Sequence, residues 1–218
     1  MMTFPTCPSC HLMESPAETS STADRILDVA ENLFAAKGYK AASLIELAEQ
    51  VGIRPPSLYN HFRNKESLYK AVLERLLGHF QPLIAEAATF SPHDKNAVLA
   101  WTRQMVELHF RHPNFARLLQ HAALAEAPGT TEMLTRFFRP LFAPSAGGGV
   151  TLSPPLLPWA TMAFHNVLVS YITMAPLYRN LINQDPFSAE ARQRHLEMVL
   201  EMVNSALTRP ESPFASAA

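Results

Sequence analysis

Between Ile26 and Leu207 apolar residues recur at spacings of three and four, and no stretch alternates strictly between apolar and polar. That pattern predicts helices throughout and no strands. Ile26, Ala30, Leu33 and Phe34 share a face of a first helix, capped by Ser21 or Thr22 and closed by Gly38. Leu44, Ile45, Leu47, Ala48 and Val51 form the stripe of a second, and Ser43 followed by Glu46 has the spacing of a capping box. Gly52 ends it, because glycine takes the left-handed conformation at little cost, and Pro55 suits the first position of a third helix. There Leu58 and Phe62, four apart, face a core and leave Ser57, Tyr59, Asn60 and His61 on other faces. Asn64 can cap a fourth helix from Lys65 to about Phe80, before Pro82, with Leu68, Val72, Leu73 and Leu76 inward.

From Asp94 onward the apolar side chains are larger. The spacing predicts helices over about 95–112, stopped by Pro113, then 115–125 with Asn114 as cap, and 131–142. Residues 143–158, with Gly147 to Gly149 and four prolines, read as an irregular link. Two long helices follow, over about 159–174 and 189–207. Pro176 kinks or ends the first, with a continuation to Ile182 left open, and Ser188 caps the second. Leu196, Val199, Leu200, Val203, Ala206 and Leu207 give the last helix a wide apolar face.

Two short helices joined at a glycine turn are helix-turn-helix punctuation, and the charge pattern sharpens that meaning. From Gly52 to Lys65 the only charged side chains are Arg54, Arg63 and Lys65, all positive, as a surface lying on phosphates requires. The chain as a whole has a formal net charge of -1, which argues against nonspecific coating of nucleic acid and leaves one small patch to make contact. With 218 residues, 48% of them hydrophobic, the chain is long enough for a small DNA-binding domain and a larger core-forming one.

The segment from Ile26 to Leu73 resembles the DNA-binding domain of the tetracycline-repressor (TetR) family of one-component bacterial regulators. The resemblance rests on Ile26, Ala30, Leu33 and Phe34 before Gly38-Tyr39. It continues through Ile45-x-x-Ala48, Val51-Gly52-Ile53, Leu58-Tyr59-x-His61-Phe62 and Lys65-Glu66-x-Leu68. Two departures matter. Ala42 stands where the family usually has Thr, so Ser43 must cap instead. Arg54-Pro55-Pro56 stands where the recognition helix usually opens with Ser, a variable residue and Gly. Two prolines remove N–H groups that a helix start offers to phosphate, and Arg54 can compensate through a phosphate or a guanine.

The resemblance implies an all-α chain. Residues 21–64 would be a three-helix helix-turn-helix DNA-binding domain and 65–80 a linking helix. Residues 81–218 would be a helical ligand-binding and dimerisation domain; the Pro/Ser/Thr-rich composition of 1–20 itself reads as a disordered tail. The resemblance implies a homodimeric regulator, a repressor before an activator, binding a palindromic operator in double-stranded DNA and released by an unidentified small molecule. The last two helices would pair with their counterparts, since two heads can engage half-sites ~34 Å apart. Arg54, Ser57, Tyr59 and Asn60 would lie near bases in the major groove, with Lys40, Tyr59, His61 and Lys65 on the backbone, and Ser43 and Pro55 complete the DNA-binding candidates. Trp101, Met105, His109, Leu118, His121, Phe137, Phe164, His165 and Tyr171 are the candidate pocket lining, each also suited to a plain core.

Other chemistries fit less well. Cys7, Cys10 and His11 spell C-P-S-C-H, the c-type haem attachment pattern, within a Pro/Ser/Thr-rich tail that has no helical period. No export signal precedes it, a zinc site wants a fourth ligand, and Met13 is a second candidate start, so no cofactor is expected. His109 and His112 lie three apart near a helix end where the dipole favours them, without a Cys or carboxylate in the same turn, so no metal is expected there. No phosphate loop, G-x-S-x-G elbow or H-E-x-x-H is present, and no catalytic residue is assigned. No run of about 18 uncharged apolar residues suggests a membrane span, and a cytoplasmic protein is expected.

Overall fold

Ser21 starts the first helix through a reciprocal pair of bonds: its Oγ accepts from the Asp24 backbone N–H, and the Asp24 carboxylate accepts from the Ser21 backbone N–H. In this computed structural model, which describes residues 21–87, 89, 94–125, 127, 129–142 and 157–208, that helix is α1 (Thr22–Ala41). After it come α2 (Leu44–Val51), α3 (Pro55–Tyr59), α4 (Lys65–Ala87), α5 (Lys95–Arg111), α6 (Pro113–Ala125) and α7 (Thr130–Phe142). The order ends with α8 (Leu157–Thr173), α9 (Ala175–Ile182) and α10 (Ala189–Thr208). No strand occurs among the described residues. The tail with Cys7, Cys10 and His11, and 143–156 of the expected link, lie outside the described residues.

The stripes expected for α1, α2 and α3 converge. Ile26, Ala30, Leu33 and Phe34 pack with Leu47, Val51 and Leu58, and α4 adds Leu68, Tyr69, Val72 and Leu73. Phe34 meets Tyr69 edge to face at 4.9 Å. The core then continues through Leu76 and Phe80, whose ring stacks on Phe115 at 3.9 Å, to Met105, Leu118, Leu168, Leu196 and Val199. Helix α6 lies along α1 and also touches α4, α5, α7 and α8, while α10 packs on α5.

Polar contacts reinforce the α1–α6 seam. Asn114 donates from Nδ2 to Glu31 at 3.1 Å and Asn32 at 2.9 Å. Arg75 of α4 pairs with Asp28 at 2.7 Å and Glu31 at 2.8 Å. Gly38 (φ 73°, ψ 172°) breaks the helical path inside α1, and a β-carbon there would sit 3.0 Å from His121 Nδ1.

Four local expectations are corrected. Ser43 does accept from the Ile45 N–H at 3.2 Å, but the Glu46 carboxylate turns to Lys37 at 2.7 Å, so the predicted box is not closed. Ile45 is 62% exposed and leaves the core stripe of α2 to Leu47, Ala48 and Val51. Asn114 does not cap α6: the helix begins at Pro113, and the Asn114 amide is spent on α1. Helix α4 does not stop near Phe80 but runs through Pro82 to Ala87. The carbonyl that Pro82 deprives of a donor belongs to exposed Gly78, where water can reach it, and buried Leu83 and Ile84 keep the far turn docked. The Leu83 carbonyl also accepts from Trp101 Nε1 at 2.7 Å.

Other caps follow the sequence. Gly52 is left-handed (φ 78°), Asn64 accepts from the Ser67 N–H at 2.8 Å, and Ser188 accepts from the Ala191 N–H at 3.2 Å. Of the two readings at Pro176, the break is observed: α8 ends at Thr173 and α9 carries the chain to Ile182.

Candidate nucleic-acid interface

The turn between α2 and α3 is fixed on several sides. The Gly52 N–H donates to the carbonyls of Ala48 and Glu49, and the Ile53 N–H also reaches Ala48. Arg25 of α1 donates from its guanidinium to the Val51 carbonyl at 2.7 Å, tying the end of α2 to the first helix. Leu58 is buried beneath α3, and its carbonyl accepts from the N–H groups of His61 and Phe62. One anchored side chain therefore sets the orientation of a five-residue helix.

Its outer side is open. Arg54, Pro55, Tyr59, Asn60 and His61 are exposed, Tyr59 by 52%, and Ser57 is half-buried. Among the described residues none of the Arg54, Ser57, Tyr59, Asn60 or His61 side chains makes a hydrogen bond or ion pair within the protein. Exposed donors and acceptors left without internal partners can be satisfied by base edges and phosphates. Arg54 precedes Pro55 with extended backbone (φ -75°, ψ 144°) and makes no side-chain cap bond, so its guanidinium is not committed to α3.

The flank is more constrained. Lys65 donates from Nζ to the Lys40 carbonyl at 3.1 Å and sits 4.9 Å over the Tyr39 ring, and partial burial lowers its pKa. The ammonium is thus held at the junction of α1 and α4, beside the exposed Lys40 side chain. Ser43 is exposed while its hydroxyl caps α2. All nine sequence-derived DNA candidates therefore lie on α1's end, the start of α2, α3 with its flanks, or the first residue of α4. Sequence reasoning missed Arg25 and Tyr39, which position this surface. Arg25 acts across 26 residues, a separation with no local signal.

The pocket candidates are distributed differently. Met105 and Leu118 are buried in the core, Trp101 is tilted against Phe164 at 5.6 Å, and His121 lies under Gly38. Tyr171 donates to the Pro186 carbonyl at 2.9 Å and stacks on His195 at 3.8 Å. Phe137 packs against Phe138. His109 is buried with Nδ1 at 2.8 Å from the Met105 carbonyl. Desolvation first pushes its pKa down to about 3, so the ring is neutral and Nδ1 carries the donated proton. Its Nε2 has no partner among the described residues.

A cleft of about 530 Å³ opens between α6, α7 and α8. Leu119 and Ala123 of α6, Leu134, Thr135, Phe138 and Arg139 of α7, and His165 of α8 line it. Of the sequence-derived candidates only His165 is on this wall, with His109 behind it at 6.2 Å between ring centres. Burial lowers the His165 pKa too. The missed residues had a signal: Leu134 with Phe138, and Thr135 with Arg139, are four apart and share a face of α7. Among the described residues no group of three or more His, Cys, Asp or Glu side chains gathers as a metal site requires, and no helix is long and apolar enough to cross a membrane.

Comparison with known proteins agrees with this geometry. The sequence profile of the bacterial regulatory proteins of the tetR family matches residues 26–72. The transcriptional repressor ComR of Escherichia coli K12 is 47% identical over 57 residues, 26% of this chain and 27% of that protein. The transcriptional repressor KstR2 of Mycolicibacterium smegmatis is 34% identical over 86 residues, 38% of this chain and 41% of that protein. The matched region thus spans well under two thirds of either relative. The solved structure of SCO4942 from Streptomyces coelicolor shares the fold at a TM-score of 0.59, with 24% identity over 87% of this chain and 100% of that one. Residues 26–72 thus match the tetR-family model, and the fold of the chain is shared with SCO4942.

Proposed function

We propose that the whole chain is a homodimeric transcriptional regulator, a repressor that holds a palindromic operator and lets go when a small molecule enters its C-terminal part. The observation that carries this reading is the exposed, internally unpartnered set Arg54, Tyr59, Asn60 and His61 on a helix whose seat is fixed by Leu58 and Arg25. In this reading residues 21–64 read DNA, α4 links, and the helices beyond sense and dimerise. ComR and KstR2 are repressors by name, which favours repression and a non-catalytic role.

Dimerisation through α8 and α10 is supported by what those helices expose. Trp159 and Met162 on α8 are 66% and 46% exposed, and Met198 and Met202 on α10 are 71% and 42% exposed. Large exposed apolar groups on both helices are what a second copy could cover. A coupling of ~1 to 3 kcal/mol between cleft and DNA suffices for 5- to 150-fold release. Helix α6 contributes to the cleft and packs along α1, so it offers a direct route beside the covalent one through α4.

Footprinting the purified protein on the DNA flanking its own gene tests the reading, followed by titration of the protected duplex. Lys65→Ala is expected to weaken all duplexes about equally, and Asn60→Ala to change which sequence is preferred. Binding that is insensitive to salt and sequence, or equal loss across sequences for both variants, would refute it.

A further inference from the structure

The cleft between α6, α7 and α8 has a composition that selects its occupant. Leu119, Ala123, Leu134 and Phe138 make its wall apolar, and its volume of about 530 Å³ lies in the range of small-molecule sites. Arg139 is the only ionic side chain among the described lining residues, and it makes no hydrogen bond or ion pair within the described protein. His165 also lacks an internal hydrogen bond and is kept neutral by burial, so it supplies a donor without a second charge. No carboxylate of the described lining neutralises Arg139. The cleft between α5 and α10 differs, since there Arg103 faces Glu197 and Glu201 on the same wall.

We propose that this cleft binds an apolar carboxylic acid, with its hydrocarbon against Leu119, Leu134 and Phe138 and its carboxylate on Arg139, with His165 donating to the same group. The inference rests on the ligand-responsive reading above and specifies the class of its effector. A guanidinium offers two parallel N–H donors to a carboxylate, a fit that an alcohol or ester of equal length cannot reproduce. The apolar wall supplies most of the attraction and the arginine supplies the choice.

Calorimetric titration of the full chain with octanoate and with 1-octanol tests this. One octanoate is expected per chain, bound at least tenfold more tightly than 1-octanol. Arg139→Gln, a change at an exposed residue, should bring octanoate to the alcohol's affinity and leave the alcohol within about twofold. Leu134→Trp, which fills the cleft, should abolish both. Equal affinity for acid and alcohol, a preference that survives Arg139→Gln, several weak sites untouched by Leu134→Trp, or no binding of either probe would each overturn the proposal. Operator affinity measured with saturating octanoate separates the two readings. Selective binding that leaves the operator complex unchanged keeps the assignment of the cleft and defeats ligand release.

Discussion

Two glycines with similar φ do different work. Gly52, at φ 78° and ψ 33°, has open space where a β-carbon would go, so Gly52→Ala incurs only left-handed strain of about 1–2 kcal/mol. Gly38 sits at φ 73° and ψ 172°, a region essentially reserved for glycine, and faces His121 at 3.0 Å. Gly38→Ala should therefore cost more than Gly52→Ala in urea unfolding, and His121→Ala should recover only the contact part. An equal loss at both positions would mean that α6 yields freely under α1. The buried imidazoles make a second residue-scale prediction. Burial holds His109 at about 3 and His195 at about 4, and lowers His165, whereas an unfolded histidine titrates near ~6.5. Below that value the unfolded chain takes up protons that the folded chain refuses. Stability is thus fully present above pH ~6.5 and is lost as pH falls toward the folded values, by up to about 1.4 kcal/mol per pH unit for each group. Urea midpoints between pH ~7.5 and ~5.5 should show the decline, and His109→Phe should make it shallower, with His195 and His165 carrying what remains. A profile that rises on acidification would contradict the burial of these rings.

At the scale of elements, the seam of α1 with α6 and α4 is the feature least visible in the sequence. Asn114 follows Pro113, where its neighbours in sequence predict a cap, yet its amide bridges to Glu31 and Asn32, more than eighty residues earlier. Arg75 similarly gathers Asp28 and Glu31 from another helix. Removing the arginine with Arg75→Met leaves the half-buried Glu31 carboxylate without its strongest partner and should cost about 1–3 kcal/mol. Asn114→Ala should cost less, about 0.5–1.5 kcal/mol. Both are expected to alter operator affinity more than Arg194→Met, whose α10 pair with Glu190 is exposed and remote in sequence from the DNA-reading helices. Fluorescence anisotropy on one operator duplex checks the order, and equal affinities for all three variants would show that the seam does not influence α3. What the sequence made legible was local: the stripes, the left-handed Gly52, the caps at Asn64 and Ser188, and the outward set on α3. Contacts between helices distant in sequence, Arg25 on Val51 among them, and the continuation of α4 past Pro82 depended on packing that no window of neighbouring residues contains. The cleft was hidden for the same reason. His109 and His165 are pocket candidates from the sequence, whereas Arg139 has an ordinary exposed place on α7 and gains a role only with α6 and α8 beside it.

For the proposed homodimer the decisive quantity is the spacing of its two α3 helices. A monomer presents one short helix and a few cations, too small a footprint for tight, selective binding, whereas a pair joined through α8 and α10 doubles the contact at no further cost in association. If α3 is displayed twice in that way, the operator must carry its half-sites at a set separation along the groove. Inserting about five base pairs between the half-sites turns one of them about half a helical turn away, out of reach of the second head. Affinity should then drop to that of a duplex holding a single half-site, and inserting about ten base pairs should restore part of it only if α4 permits the wider reach. Met198→Glu with Met202→Glu, charges on the exposed face of α10, should give monomers in sedimentation and the same single-site affinity on the intact operator. Dimers that survive both substitutions would move the interface elsewhere. An operator that tolerates the five-base-pair insertion would show that the two heads do not read DNA together.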